Sequence, residues 1–145
     1  MATINPYLHF NGEAAAAFEF YRTHLGGEFT TFQRYKDVPG MQGSENMSEK
    51  ELNGLMHVAL PIGSGNVLMG SDVVPSMGHA TVSGNNFYVS IEAGSKEEAA
   101  RLFNGLSAGG NVQMPLEDTF WNAYFGMFID KFGIGWMVNY TYPQQ

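Results

Sequence analysis

The amino-acid sequence predicts a single α+β domain assembled from two copies of a strand–helix–three-strand (βαβββ) unit. Three observations predict it. Two amphipathic helices each end in Gly-Gly, a short strand precedes each helix, and hairpin-forming strands follow each. A shift of 83 residues lays Gly26-Gly27 on Gly109-Gly110, Phe20 on Phe103 and Ala16-Ala17 on Ala99-Ala100.

The first unit, about residues 4–72, opens with a strand over 4–10 that Asn11-Gly12 closes. A helix over 13–25 follows. Ala14, Ala17, Phe18, Tyr21 and Leu25 fall on one helical face, and Gly26-Gly27 supplies the backbone freedom that stops it. Residues 28–35 alternate weakly. Strands over 55–62 and 66–70 flank Gly63-Ser64-Gly65, which reads as a hairpin turn. Between them, 36–54 is a polar loop with a helical turn expected at 48–52. Residues 73–86, with Pro75, Gly78 and Gly84, read as a linker.

The second unit, about 87–140, repeats the order. A strand over 87–93 leads to a helix that starts at Ser95, with Glu98 placed as in a capping box. Ala99, Leu102, Phe103 and Leu106 form its apolar stripe. A short strand over 111–114 comes next, then strands over 124–129 and 134–140 around the loop Asp130-Lys131-Phe132-Gly133. A four-stranded half leaves one apolar face uncovered, so the two halves are expected to share one core within one domain, 1–145.

Composition narrows the function. The chain has 145 residues, no cysteine, and 7 basic against 14 acidic residues, a net charge of −7. A polyanion is repelled by that balance, so no nucleic-acid partner is expected, and anionic membrane surfaces are disfavoured. Lack of cysteine removes disulfides, thiolate catalysis and thiolate zinc sites. No signal-peptide pattern and no apolar run long enough to span a membrane is present. A cytoplasmic protein is the expectation.

The run Pro6-Tyr7-Leu8-His9-Phe10 with Gly12, the helix segment Ala17-Phe18-Glu19-Phe20-Tyr21 and the hairpin Leu68-Met69-Gly70-Ser71-Asp72 carry a family resemblance. So do Glu117-Asp118-Thr119-Phe120-Trp121, Gly126, Asp130-Lys131-Phe132-Gly133 and Trp136-Met137-Val138-Asn139. With these residues the chain resembles the PhnB-like branch of the glyoxalase/bleomycin-resistance, or vicinal oxygen chelate, family over nearly its whole length. The resemblance implies paired βαβββ modules forming one open, cupped mixed sheet with a cavity, and a homodimer. It does not imply one function, because the family includes metal-dependent lyases, dioxygenases and epimerases beside proteins that only sequester a drug. The methyltransferase label attached to PhnB-like proteins gains no support from the chain, which has no Gly-rich cofactor fingerprint.

Metal-dependent members of the family hold a divalent ion with His, Glu or Gln from four strand positions, which fall here on Pro6, Met69, Phe87 and Met137. None offers an imidazole or carboxylate, and a thioether is too soft for an oxygen-chelating ion. No cofactor is therefore expected. The fallback is a symmetric pair, His9 and Glu92, which coincide under the 83-residue shift; a plain strand-surface pair is the competing reading.

His57 is a candidate general base, since histidine titrates near neutral pH; a hydrogen-bonded packing residue is the simpler alternative. Glu117, followed by Asp118, Phe120 and Trp121, is a candidate acid or base if the rings desolvate it, against a role capping a turn or pairing with Lys131. His24 and His79 are expected to be exposed. Met69, Trp121, Tyr124, Met137 and Asn139 are the candidate cavity-lining residues, with Trp136 beside them, although methionines also fill cores and Trp121 and Trp136 suit a subunit interface.

Three functions compete. The first is small-molecule binding or sequestration without a metal, for which the acidic balance mildly favours a cationic or neutral ligand. The second is a divalent-metal enzyme of the lyase, isomerase or dioxygenase type. The third is a metal-free acid–base enzyme using His57 and Glu117.

Overall fold

The computed structural model describes residues 2–63 and 65–144, and among them eight strands and three α-helices follow the predicted order. Module one contains β1 (Tyr7–Phe10), α1 (Ala14–Leu25), β2 (Thr31–Arg34), α2 (Glu49–Asn53), β3 (Leu55–Ile62) and β4 (Asn66–Asp72). Module two contains β5 (Val89–Glu92), α3 (Lys96–Ser107), β6 (Asn111–Asp118), β7 (Ala123–Ile129) and β8 (Gly135–Thr141). The chain divides into two units, Met1–Val82 and Ser83–Gln145. Ser64, in the expected β3–β4 turn, lies outside the described residues; Gly63 and Gly65 beside it both have positive φ.

Each module forms its own four-stranded sheet, in the orders β1-β4-β3-β2 and β5-β8-β7-β6. The fold class is the expected α+β one, but hydrogen bonding gives two sheets where a single continuous one was expected. Each first strand passes through a helix and returns parallel to its own module's last strand, β1 to β4 and β5 to β8. The other pairs are antiparallel.

The helices form where the apolar stripes predicted them. Ala14, Ala17, Phe18 and Tyr21 are buried on α1, and Ala99, Leu102, Phe103 and Leu106 on α3. Gly26 (φ +82°) ends α1 directly. On α3, Ser95 caps Glu98 N–H at 3.0 Å, but the Glu98 carboxylate returns to Gly94 N–H and not to the cap residue. In each module a strand glycine admits a helix ring. A Cβ on Gly70 would lie 2.8 Å from Phe18, and one on Gly126 would lie 2.6 Å from Phe103. α1 and α3 therefore each cover one face of their own sheet, and the opposite face is free of that helix.

Several boundaries move for physical reasons. β1 begins at Tyr7, not residue 4: Pro6 has no N–H to donate, and the Asn5 side chain takes the Val67 N–H instead. β6 runs through Asp118, past Pro115, where only 111–114 was expected. It is a sheet-edge strand with two register shifts, which tolerate a proline. Glu117 and Asp118 thus lie on a strand and not in a turn. In the 36–54 loop the helical turn is real. Ser48 and Glu51 close a full capping box at the start of α2.

Two buried aspartates organise the modules. Asp72, 3% exposed, accepts from the N–H groups of Gly12, Ala14 and Leu55 at 2.8–3.0 Å. One carboxylate thereby fixes the start of α1 and the start of β3. Asp130, also 3% exposed, accepts from Phe132 N–H, Ile134 N–H and the Trp136 indole N–H. Trp136 is 1% exposed and belongs to the core of module two, which corrects its expected place in a cavity or subunit interface.

Candidate functional site

Strand alternation decides what the helix-free faces carry. On β1, Leu8 and Phe10 are buried toward α1, so Tyr7 and His9 point the other way. Register extends this into two cross-strand rows. Tyr7 lies beside Met69, which lies beside Ala59, which pairs with Thr31. His9 lies beside Ser71, and on β3 and β2 the pair His57–Gln33 occupies the same face.

The Tyr7 ring contacts two imidazoles. It stacks on His57 with centroids 5.6 Å apart and planes 20° apart, and meets His9 edge-on at 5.3 Å. The Tyr7 hydroxyl is 3.1 Å from His57 Nδ1. Tyr35 closes this corner: its hydroxyl donates to the Asp72 carbonyl at 2.8 Å, and burial first, then Asp72 and Tyr7, push its phenol above the ordinary value. His57 is therefore a packed, hydrogen-bonded residue that still reaches the surface, half-buried on this face.

The corresponding face of module two is different. Ser90 lies beside Met137 and Glu92 beside Asn139. Phe125 pairs with Asn139 and Met127 with Met137, and Glu117 pairs with Phe125 on the edge strand. The Trp121 ring, half exposed, approaches Phe125 at 5.9 Å. Met137, Asn139, Glu117 and Trp121 thus gather at one face, with Met69 occupying the like position in module one. Tyr124 does not join them. It alternates with Phe125, shares the face of Gly126, and lies under the Lys96 ammonium of α3 at 4.8 Å. Its expected cavity position is corrected to the helix side of the sheet. There Tyr142 donates to the Asp118 carboxylate, and hydrogen bonding and proximity to Tyr142 and Asp118 raise the Lys96 pKa.

These faces test the metal expectation. The register puts Tyr7 opposite Met69 and Ser90 opposite Met137, so Pro6 and Phe87 are replaced as the first-strand positions. Phe87 lies before β5 and is exposed. The corrected set is a phenol, a hydroxyl and two thioethers, which does not fit a divalent ion that takes oxygen and imidazole donors. Of the fallback pair, His9 faces the Tyr7 ring. Glu92 is committed: its oxygens accept from Asn139 Nδ2 (2.7 Å), Thr141 Oγ1 (2.9 Å) and Thr141 N–H (3.2 Å). Partial burial raises its pKa, but these bonds outweigh burial and hold the carboxyl below its ordinary range. Among the described residues no three His, Asp or Glu side chains converge as a metal cage would require.

A cavity of about 300 Å³ opens in module one beside the start of α1, lined by Gly12, Lys50, Glu51 and Asp72 among others. Its acids are already used, Asp72 by three backbone donors and Glu51 by Ser48 and Ser76 N–H. Of the other histidines, His79 is exposed, as expected, while His24 is half-buried with its ring against Phe20. Reading the site from sequence missed Tyr7, Ser71 and Gln33. The signal was present: in Tyr7-Leu8-His9-Phe10 the period-2 alternation pairs Tyr7 with His9.

Comparison with known proteins agrees with this architecture. The model of the Glyoxalase/Bleomycin resistance protein/Dioxygenase superfamily matches residues 3–138. The chain belongs to that superfamily. Within it the chain is similar to protein YjdN of Escherichia coli K12, 32% identical over 147 residues and 97% of each chain. It is also similar to protein PA1353 of Pseudomonas aeruginosa, 41% identical, covering 97% and 98% of the two chains with a TM-score of 0.84. A PhnB protein from Bacillus cereus shares the fold, at 21% identity, 97% and 100% coverage and a TM-score of 0.76. The superfamily was therefore legible in the sequence. No described helix is long and apolar enough to cross a membrane.

Proposed function

We propose that this superfamily member binds or sequesters a small molecule on its helix-free sheet faces, through rings and thioethers and without a divalent ion. The observation that carries the reading is the strand register. Where the first and last strands of each module meet, the residues are Tyr7 with Met69 and Ser90 with Met137. Methionine shapes itself to apolar ligands and aromatic rings stack on them, whereas neither thioether suits a hard oxygen-chelating ion. The reading includes a cytoplasmic homodimer. Exposed Val112, Met114 and Phe120 in module two support self-association.

The test is elemental analysis after chelator treatment and reloading with nickel, zinc, manganese or iron(II), run beside a ligand-observed NMR screen. Well under one equivalent of metal is expected, with hits that chelator leaves unchanged. One equivalent of metal that disappears on His9→Ala or Glu92→Ala would overturn the reading in favour of a metal enzyme.

A further inference from the structure

The net charge of −7 would steer anions away, yet the acids are not distributed onto the helix-free face of module one. Across β1, β2, β3 and β4 the sole acidic residue is Asp72, whose carboxylate is turned to the start of α1 and held by three N–H groups. Glu19 and Glu28 are drawn to Arg22 at the other side of the sheet, and Glu51 caps α2. What the face does present is a set of donors. The Tyr7 hydroxyl lies 3.1 Å from His57 Nδ1, a contact in which either atom can donate; in the tautomer that accepts from the phenol, the ring proton of His57 is on Nε2 and that N–H is offered to a ligand. His9 adds a second imidazole edge-on to the same phenol ring, and Gln33 a side-chain amide beside His57. The Tyr7–His57 stack, within 20° of parallel, is also a flat surface on which a further ring can lie.

Donors without a competing carboxylate, next to a stacked pair of rings, define a ligand class. We propose that the helix-free face of module one takes a planar aromatic carboxylate, its ring against Tyr7 and His57 and its carboxylate on the imidazole N–H groups of His57 and His9. The proposal rests on the metal-free binding reading and narrows it. It also reverses the ligand charge that bulk composition favours, because hydrogen bonds to an ionised acceptor act at contact distance, while charges beyond about 10 Å are largely screened at 0.1 M salt.

The test uses three probes with one ring system: 1-naphthoate, 1-naphthamide and 1-naphthylmethylammonium, titrated into the full chain at neutral pH and followed by amide chemical shifts. Naphthoate is expected to bind about tenfold more tightly than naphthamide, the size of one charge-assisted hydrogen bond. The ammonium is expected to bind most weakly, with shifts centred on Tyr7, His9 and Met69. His9→Gln and His57→Gln are each expected to narrow the preference for naphthoate over naphthamide, His57→Gln also weakening both probes because it removes a ring of the platform, with the urea midpoint of each variant measured alongside. That control separates a lost contact from a damaged fold. Naphthamide or the ammonium binding as tightly as naphthoate overturns the ligand class and leaves metal-free binding standing. Binding confined to module two overturns the assignment to this face. A protein that binds no small molecule in the broader screen sinks the parent reading as well.

Discussion

The two modules share one backbone plan and differ in how a single buried carboxylate is wired into it. Asp130 ties residues close to it in sequence, the β7–β8 loop and the Trp136 indole. Asp72 ties residues far from it, Gly12 and Ala14 on one side and Leu55 on the other. The difference follows from the insertion. Module one has a long β2–β3 connection, residues 35–54, that would otherwise leave the start of β3 loosely held. The faces differ in the same spirit. Module one shows imidazole and phenol donors without an acid, and module two shows Glu92 locked to Asn139 and Thr141 beside Met127 and Met137. Duplication of a βαβββ unit thus fixes where side chains stand and leaves their chemistry free to diverge.

The sharpest way to break the wiring comparison is to remove each carboxylate. Asp72→Ala strands three N–H groups, two of them fully buried, and at ~1–3 kcal/mol for each unsatisfied donor, less partial rescue by water, should cost about 3–5 kcal/mol. Asp130→Ala strands groups at a turn that water reaches more easily, and should cost about 2–3 kcal/mol. Urea unfolding measures both. Equal losses would show that the long-range wiring of Asp72 matters no more than the local wiring of Asp130.

A smaller effect separates the two glycines under the helix rings. An added Cβ at Gly70 meets the Leu8 carbonyl at 2.7 Å as well as Phe18 at 2.8 Å, so the parallel β1–β4 pair itself must open. At Gly126 the nearest atom is the Phe103 ring at 2.6 Å, with the backbone of bulged β6 at 3.0 Å, and an edge strand gives way more easily. Gly70→Ala should cost about 2–3 kcal/mol and Gly126→Ala about 1–2 kcal/mol, within the usual range for overpacking. The reverse order would mean that β6 is held more rigidly than its bulges imply.

What the sequence disclosed, and what it hid, follows the same division. Helices and hairpins came from local periodicity, so α1, α3 and β3 fall where Ala14–Tyr21, Ala99–Leu106 and 55–62 put them. The 83-residue shift also located the equivalence of His9 and Glu92, which the register places beside Ser71 and Asn139. Facing was harder, because a one-residue slip reverses every side chain on a strand. Pro6 stood in for Tyr7, and Tyr124 was assigned to the face that Phe125 occupies. Long-range roles were hidden altogether. Nothing near Asp72 in sequence announces that its carboxylate will hold Gly12, Ala14 and Leu55, and nothing near Tyr7 announces His57 fifty residues on.

The smallest predicted effect contrasts an acid of each module through pH. Glu51 is held at about 2, against an ordinary 4.5, chiefly by the Ser76 N–H and then the Ser48 N–H. Glu92 is lowered as well, with partial burial working against the bonds from Asn139 and Thr141. A carboxyl whose folded pKa lies below its unfolded value stabilises the fold fully above the unfolded value, and loses that contribution as pH falls through the folded one. Glu51→Gln should therefore melt below the parent at pH 7. The gap should narrow once pH drops under 4.5 and close near pH 2, where the parent's own carboxyl takes up a proton. Glu92→Gln should follow the same course with a smaller gap, because burial offsets part of what its hydrogen bonds contribute. Glu92 is exposed and Glu51 half-buried at the mouth of an open cavity, so solvent screens both and the shifts in melting temperature are expected to be modest. A gap for Glu92→Gln that widened on acidification would mean that the carboxyl is protonated in the folded protein, and that the Asn139–Thr141 network binds the acid rather than the anion.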